Sequence, residues 1–216
     1  MIVGAGISGL AAARALLERG HAVEILEMGR GVGGRMATRR IGDATFDHGA
    51  QFFTVRGDAF RAVIDVALEA GVVDVWCHGF GESDGHPRFY CPKGMTGLAK
   101  WLAAQVTELG GTIRTEKRVR SVREDGGAWV VEVEDGSTRL CRDLVLTSPV
   151  PQSIEMLDAG GIALPVDQAD LREVNYKSVL AVLAVLDGPS AIPRPGAVQQ
   201  TEDDLFTFVA DNAMKG

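Results

Sequence analysis

The glycine-rich turn at the start of the chain constrains the fold more than any other feature of the sequence. Residues 4–9 read Gly-Ala-Gly-Ile-Ser-Gly, which is a GxGxxG spacing, and they follow an apolar stub at residues 1–3. Residues 10–19 have the apolar spacing of a helix, and residues 22–26 predict an apolar strand that ends at Glu27. Strand, glycine turn, helix, strand and acid occur in the order that a dinucleotide-binding βαβ unit requires.

Each glycine of the turn is expected to have its own physical role. Gly4 permits the tight turn, Gly6 leaves room for a pyrophosphate to approach the backbone, and Gly9 lets the helix pack closely against the strand. The helix N-terminus presents free N–H groups and a partial positive charge to the pyrophosphate. We expect Glu27 to accept hydrogen bonds from both hydroxyls of the adenosine ribose, and its charge disfavours NADP.

Composition and charge exclude several classes of function. The net charge of −7 disfavours a nucleic-acid binder, because neutralising phosphates needs a basic surface. The cysteines (Cys77, Cys91 and Cys141) are odd in number and lack CxxC spacing, which argues against a disulfide framework or a zinc site. No run is long and apolar enough to span a bilayer. We therefore predict a cytoplasmic protein with reduced thiols, without a metal site and without a nucleic-acid or membrane partner.

A second glycine-rich loop follows the acid and decides which cofactor is expected. Residues 28–36 read Met-Gly-Arg-Gly-Val-Gly-Gly-Arg-Met. Here the sequence resembles the flavin amine oxidase superfamily, in which Gly-Gly-Arg follows the second strand. There the glycines lie along the cofactor and the arginine approaches the pyrophosphate, a role that falls to Arg35 by position. A unit that binds only NAD leaves this loop unexplained, so we expect FAD.

The match is closer to one branch of that superfamily. The segments that are similar to the renalase branch are residues 33–40 (GGRMATRR), 46–54 (FDHGAQFFT), 90–95 and 209–212, with Lys215 and Gly216. The resemblance implies an α/β fold class: a Rossmann-like FAD-binding domain of the GR2 type with a β-meander, and an incomplete α+β substrate domain. The predicted FAD-binding domain is discontinuous, over residues 1–55 and 93–150. The predicted substrate domain covers residues 56–92 and 151–216.

The resemblance also implies which residues contact FAD. The backbone from His48 to Gln51 would run past the isoalloxazine, and Gly49 would let the planar ring approach the chain. His48 in such a position is more often a structural hydrogen-bonding residue than a catalyst. No cysteine lies in a flavin-linking motif, so FAD is expected to be non-covalent. The predicted cofactor-binding residues are Gly4, Ala5, Gly6, Ile7, Ser8, Gly9, Glu27, Gly34, Arg35, Met36, His48, Gly49, Ala50, Gln51, Phe52 and Val119, with no catalytic residue assigned.

Periodicity elsewhere predicts the remaining elements. Helical spacing covers residues 58–71 and 96–109, the second helix capped by Thr96. Alternating segments separated by Asp-Gly turns predict a β-meander. In the family that the sequence resembles, a valine in the first strand of such a meander lies by the adenine, and Val119 is the candidate for that position. The predicted meander strands cover residues 118–123, 128–134 and 138–141. Further predicted strands cover residues 73–76, 143–147 (buried), 178–186 and 205–209, and a turn-rich, exposed segment covers residues 80–86.

The resemblance implies an oxidase. A hydride would pass from the substrate to flavin N5, and O2 would reoxidise the flavin and yield H2O2. The renalase branch implies dihydronicotinamide substrates, namely mis-reduced isomers of NAD(P)H. An amine oxidase or a desaturase-like enzyme of the same superfamily is the alternative, and an FAD-binding fragment without turnover is a third possibility. Such oxidases close the FAD fold with a C-terminal segment that has no counterpart here, which predicts a truncated sequence.

Overall fold

The computed structural model describes residues 1–80, 85–199 and 206–215. The helices are α1 (Ile7–Leu17), α2 (Asp58–Glu69), α3 (Thr96–Glu108) and α4 (Val150–Ala159). The strands are β1 (Ile2–Val3), β2 (Glu24–Leu26), β3 (Thr38–Ile41), β4 (Ala44–Asp47), β5 (Asp74–Cys77), β6 (Arg88–Tyr90), β7 (Thr112–Arg114), β8 (Val119–Asp125), β9 (Ala128–Val133), β10 (Thr138–Cys141), β11 (Val145–Leu146), β12 (Ala197–Gln199) and β13 (Phe208–Ala210). Short 3-10 helices cover Gly34–Met36, Val166–Glu173 and Asn212–Met214.

The chain packs into two compact units. The first unit comprises Met1–Gly34 and Ala99–Leu180, and the second unit comprises Arg35–Leu98 and Ala181–Gly216. These units are defined by which residues pack together. The domains predicted above were instead defined by function, as an FAD-binding domain and a substrate domain. That functional division stays a prediction.

A parallel sheet with the strand order β11-β1-β2-β7 organises the first unit. Strand β1 lies between two neighbours, since Ile2 pairs with Ile25 on one side and Val145 on the other. Both residues of β1 are buried, as expected for an inner strand of a parallel sheet. The apolar stub that opens the sequence is therefore a short central strand, and the βαβ unit predicted from the glycine turn is confirmed.

Helix α1 connects β1 to β2 and begins at Ile7, earlier than the apolar spacing predicts, because the glycine turn leads directly into the first helical turn. The helix ends at Leu17, and Gly20 reverses the chain with a φ of 81°. The Gly20 amide donates to the Leu17 carbonyl at 2.8 Å and the His21 amide donates to the Leu16 carbonyl at 3.1 Å. These bonds satisfy carbonyls that the last helical turn leaves free.

The predicted β-meander is confirmed as an antiparallel sheet in the order β10-β9-β8. One face of this sheet packs against the parallel sheet and α4. The buried side chains that form this core are Val3, Leu26, Val119, Val122, Val131, Val133 and Met156. Alternation in the meander segments therefore reflects one buried face and one exposed face.

Helix α4 was not foreseen from the sequence. Pro149 and Pro151 suggest a strand end, yet proline also suits the start of a helix, where its missing N–H costs nothing. The end of α4 lies directly on the meander, because a Cβ on Gly160 would overlap the carbonyl group of Val122. A side chain at residue 160 would thus separate helix and sheet.

Hairpins and helix α2 build the second unit. The pairs β3–β4, β5–β6 and β12–β13 are antiparallel, and Phe53 pairs with Phe89 through amide–carbonyl bonds of 2.9 Å in each direction. The predicted helix α2 is confirmed, and it buries Ile64 and Ala67 completely. The strand predicted over residues 73–76 is observed as β5. The hairpin β3–β4 lies within a segment for which the sequence suggested only cofactor contacts.

Several sequence-based expectations are wrong or incomplete. Residues 178–186 form no strand: Val179 is 87% exposed and Leu180 95% exposed. Apolar and β-branched residues favour a strand, but a strand also needs a partner for its backbone groups, and no described strand pairs with this segment. Thr96 is the first helical residue instead of a cap, because its hydroxyl donates to the Met36 carbonyl at 3.0 Å.

The remaining differences concern element boundaries. The strand predicted over residues 143–147 is shorter, since β11 covers Val145–Leu146, and it is half-buried. The strand predicted over residues 205–209 is observed as β13, while residue 205 lies outside the described residues. Residues 81–84 of the predicted turn-rich segment also lie outside them. Among the described residues, no helix combines the length and apolar character needed to cross a membrane.

The contact between α4 and the meander predicts the effect of a methyl group at residue 160. G160A should lower the free energy of unfolding by about 1–3 kcal/mol, because helix and strand must move apart. Urea denaturation followed by circular dichroism measures this change. G31A in the same unit is the matched control, since a Cβ there meets no atom within 4 Å. Equal midpoints for the two variants would contradict the packing role.

Candidate cofactor-binding site

Two glycines of the first turn are explained by packing within the first unit. Gly4 has a φ of 102°, and a Cβ there would lie 2.8 Å from Thr147 Oγ1. A Cβ on Gly9 would overlap the carbonyl of Gly4. The Thr147 hydroxyl donates to the Val3 carbonyl at 2.9 Å, which holds β11 beside this turn. Gly4 and Gly9 therefore have the backbone roles that the motif predicts.

Gly6 differs from these two glycines because protein packing does not explain it. It is the N-cap of α1 with extended backbone angles (φ −73°, ψ 178°), and a Cβ there would meet no atom within 4 Å. The second glycine loop lies beside it: the Gly33 amide donates to the Ala5 carbonyl at 2.9 Å, and a Cβ on Gly34 would lie 3.5 Å from Gly6 Cα. The space above Gly6 is thus open to a ligand.

The N-terminus of α1 carries partial positive charge and has no side-chain cap. The first N–H groups of a helix have no partner within the helix, and glycine at the N-cap offers no side chain to accept from them. The first turn of α1 also contains no acidic residue. This helix start therefore suits an anionic group such as a phosphate.

The carboxylate of Glu27 joins the two glycine loops. Glu27 is buried, with Oε2 accepting from the Ala5 amide at 2.7 Å and Oε1 accepting from the Gly29 amide at 2.7 Å. These amide bonds were not foreseen from the sequence, which suggested ribose hydroxyls alone as partners. A carboxylate oxygen can accept a second hydrogen bond. The two amides therefore fix the orientation of the carboxylate and leave acceptor capacity on both oxygens.

An open depression of about 580 Å³ lies next to Glu27. Its lining residues are Met28, Gly29, Arg30, Glu116, Arg118, Val133, Glu134 and Asp135. The predicted residue Val119 adjoins this lining, but its side chain is buried in the core of the first unit. The pairing of β8 with β9 shifts register between Val119 and Ser121, so Arg120 has no partner on β9, while Val119 pairs with Val133. Because its side chain is buried, a contact of Val119 with a ligand would come from its backbone.

The other predicted residues, from Arg35 to Phe52, belong to the second unit. The Ala50 amide donates to the Arg35 carbonyl at 2.9 Å, and a Cβ on Gly49 would overlap that same carbonyl. Glycine at residue 49 is thus required by the approach of two backbone segments, whereas its predicted role against a flavin ring stays a prediction. The Arg35 and His48 side chains are exposed.

A buried ion pair in the second unit was not predicted from the sequence. Lys215 Nζ lies 3.1 Å from Asp47 Oδ2, and the two side chains are 5% and 4% exposed. Burial lowers the pKa of Lys215, and the nearby charge of Asp47 opposes that change. Both residues fall in segments that resemble the renalase branch, but they are 168 positions apart, and a single sequence does not pair them.

The cysteines offer no reactive thiolate. Burial raises the pKa of Cys91 to about 11, and burial also raises the pKa of Cys77 and of Cys141. A thiol that stays protonated at neutral pH is a weak nucleophile and a weak metal ligand. Within the described part of the chain, no group of three or more His, Cys, Asp or Glu side chains could hold a metal ion.

Two family models match consecutive parts of the chain. Residues 2–66 match the NAD(P)-binding Rossmann-like domain family. Residues 73–211, more than half of the chain, match the family of flavin containing amine oxidoreductases.

Curated relatives match shorter segments. A Mycobacterium tuberculosis protein named as a flavin-containing monoamine oxidase, AofH, is 39% identical over 83 residues, which are 38% of this chain and 18% of that protein. A 4,4'-diapophytoene desaturase of Staphylococcus haemolyticus is 44% identical over 64 residues, 30% of this chain and 13% of the desaturase. The chain thus spans a small part of the length of these relatives.

Solved structures show the same fold. A variant of putrescine oxidase with redesigned cofactor binding has a TM-score of 0.56 at 15% identity, covering 72% of this chain and 58% of that one. An Exiguobacterium structure described as a protoporphyrinogen oxidase has a TM-score of 0.55 at 14% identity, with coverages of 73% and 60%. At these identities the likeness concerns the fold alone.

The position of the Glu27 carboxylate predicts the effect of its neutral isostere. E27Q should lower the free energy of unfolding by about 1–3 kcal/mol, because one buried amide of Ala5 or Gly29 would face an NH2 group. Urea denaturation measures the loss. E18Q is the matched control, since the Glu18 side chain is 47% exposed in its pair with Arg14. If E27Q were as stable as E18Q, the bridging role of the carboxylate would be wrong.

Proposed function

Because the chain belongs to the family of flavin-containing amine oxidoreductases, we propose that it is an FAD-dependent oxidoreductase whose first unit binds the ADP portion of FAD. The observation that carries this proposal is the Glu27 carboxylate, held by amides of both glycine loops beside the open backbone of Gly6. Packing explains Gly4 and Gly9 of this turn but not Gly6, where a Cβ would meet no atom within 4 Å.

The residues of the first unit fit each chemical group of ADP. The α1 N-terminus offers N–H groups and partial positive charge to the pyrophosphate, and Gly6 lets the phosphate oxygens reach the backbone. The free acceptor capacity of Glu27 suits the two ribose hydroxyls. Its negative charge would repel a 2′-phosphate, which favours FAD or NAD over NADP at this turn. Residues 28–30 and Val119 would then adjoin the adenine.

The remaining contacts follow from the resemblance and are proposed on that ground. Arg35 would meet the pyrophosphate, and the backbone of residues 48–52 would lie along the isoalloxazine. When bound, the cofactor supplies the redox chemistry, accepting a hydride from the substrate and passing electrons to O2 with release of H2O2. The cofactor is proposed to be non-covalent because no cysteine of this sequence lies in a flavin-linking motif. The residues of this chain bind and orient, and none is assigned to proton transfer.

The proposed substrate is a dihydronicotinamide, an isomer of NAD(P)H reduced at the wrong ring position. Its support is the resemblance of residues 33–54 to the renalase branch. An amine is the second candidate, favoured by the 39% identity to the protein named as a monoamine oxidase. A desaturase-like reaction on an unsaturated hydrophobic substrate is a third candidate, favoured by the relative named as a desaturase.

Because the space at Gly6 is open, a substitution there is expected to reduce ligand affinity without reducing stability. G6A should leave the free energy of unfolding of the ligand-free chain within about 1 kcal/mol of wild type, since only the N-cap preference changes. The same variant should bind FAD and ADP at least tenfold more weakly, about 1.4 kcal/mol, because the methyl group would occupy the path of the pyrophosphate. Fluorescence titration with FAD and calorimetry with ADP measure the two affinities.

G57A is the matched control for this substitution, because Gly57 is the N-cap of α2 and a Cβ there would also meet no atom within 4 Å. It should leave the affinities for FAD and ADP within about twofold of wild type, since only the N-cap preference changes. Wild-type protein that stays colourless and takes up no FAD in excess would overturn the proposed function.

The substrate class is decided by which compound reduces the bound flavin. Under anaerobic conditions, 2-dihydro-NAD or 6-dihydro-NAD should bleach the flavin absorbance near 450 nm, whereas benzylamine or putrescine should leave it unchanged. Stopped-flow absorbance measures the bleaching, and oxygen admitted afterwards should restore the colour with formation of H2O2. Bleaching by the amines alone would transfer the assignment to an amine oxidase.

A further inference from the structure

Lys215 is a buried ammonium group at the centre of a polar cluster in the second unit. Its Nζ donates to Asp47 Oδ2 at 3.1 Å, to the Gln51 carbonyl at 3.0 Å and to Gln51 Oε1 at 2.8 Å. The ring centroid of Trp76 lies 5.0 Å from the same nitrogen. All three ammonium protons are therefore used within the protein, so Lys215 is placed to hold the chain and not to bind a ligand directly.

The contact with the Gln51 carbonyl fixes the orientation of one peptide. In a trans peptide the C=O and the next N–H point in opposite directions. Because the Gln51 carbonyl points at Lys215, the amide of Phe52 points away from it. No described residue accepts a hydrogen bond from this amide, whereas the next one, Phe53, donates to the Phe89 carbonyl at 2.9 Å. The Phe52 N–H is thus a directed donor available to a ligand.

Asp47 holds the other end of the same segment. Its Oδ1 accepts from the Thr38 hydroxyl at 2.7 Å and from the Met95 amide at 2.8 Å, while the Gln51 side-chain amide donates to the Asp47 carbonyl. The loop from residue 47 to residue 51 is therefore tied at both ends. Lys215 joins these ends, because it contacts both Asp47 and Gln51.

A buried ion pair of this kind is not needed for stability alone. Removing two charges from water costs free energy, and well-packed apolar side chains of similar volume often stabilise a fold equally well. Asp47 and Lys215 are almost fully buried, and each also makes hydrogen bonds that have a fixed direction. Unlike apolar contacts, the hydrogen bonds of this cluster fix the orientation of the groups that they join.

We propose that Lys215 is a positioning residue that locks the Gln51–Phe52 peptide in one orientation, and that this orientation lets the segment of residues 48–52 bind the isoalloxazine end of FAD. The inference rests on the proposed function, in which that segment contacts the flavin. Lys215 itself does not touch the cofactor in this proposal. It acts through the Gln51 carbonyl and the Asp47 carboxylate.

The proposal assigns the two ends of the cofactor to different residues, which can be tested separately. The ADP portion is assigned to the glycine turn of the first unit, and the Lys215 cluster lies within the second unit. Loss of Lys215 should therefore weaken the binding of FAD and leave the binding of ADP unaffected, whereas G6A should weaken the binding of both. A residue that only stabilises the fold would not produce this difference.

The test compares K215M with D47N/K215M and with K100M. K215M leaves Asp47 buried without its partner and is the variant at risk of misfolding. In D47N/K215M the Asn oxygen can still accept from Thr38 and Met95 while both charges are gone. K100M applies the same chemical change at an exposed residue of α3 and is the matched control.

The affinities for FAD and ADP are measured by titration on the full chain. D47N/K215M should bind FAD at least tenfold more weakly than wild type and ADP within twofold of wild type. Hydrogen–deuterium exchange on the ligand-free chain should show the Phe53 amide, which donates to the Phe89 carbonyl, exchanging at least tenfold faster in D47N/K215M. K100M should match wild type in each measurement.

The outcomes distinguish this inference from the proposed function. Wild-type protein that binds neither FAD nor ADP overturns the proposed function and this inference with it. Wild-type protein that binds both, together with a folded D47N/K215M that binds FAD equally tightly, overturns this inference alone. The inference is also overturned if D47N/K215M binds FAD and ADP with equally reduced affinity. Unchanged amide hydrogen–deuterium exchange at residues 51–53 would overturn it as well.

Discussion

The hydrogen bonds from the Ala5 and Gly29 amides to the Glu27 carboxylate are the interaction on which the candidate site depends. One buried side chain ties the first glycine turn to the loop after β2, and both loops then border the N-terminus of α1. Charge-assisted bonds to backbone amides are strong when they are shielded from water. A carboxylate that is held this way reaches a ligand with its orientation already set, which lowers the entropy lost on binding.

The glycines of the site divide into two classes by what a side chain would meet. At Gly9 and Gly49 a Cβ would overlap a backbone carbonyl, so glycine is required for the chain to pack. At Gly6 a Cβ would meet nothing within 4 Å, so packing gives no reason for glycine there. The same residue type thus serves the fold at some positions and is free to serve a ligand at another. The motif predicted this division for Gly6 and Gly9, whereas the close packing at Gly49 was decided by the tertiary structure.

Two buried acids among the described residues, Glu27 and Asp47, show two ways of stabilising a charge away from water. Glu27 receives backbone amides, which carry no net charge, and keeps acceptor capacity for a ligand. Asp47 receives an ammonium group as well as the Thr38 hydroxyl and the Met95 amide, and it is committed within the protein. This difference suits a binding role for Glu27 and a positioning role for Asp47 with Lys215.

The sequence by itself determined the βαβ unit, the acid after β2, helices α2 and α3 and the β-meander. These features depend on short-range rules, namely glycine spacing, helical periodicity and strand alternation between Asp-Gly turns. The tertiary structure alone decided that Glu27 bonds to Ala5 and Gly29, that Gly160 lies on Val122, and that Lys215 reaches Asp47. It also showed that residues 178–186, apolar enough for a strand, have no strand partner in the described chain. The reason is physical: such contacts join residues distant in sequence, and their free energy depends on geometry that local pattern does not contain.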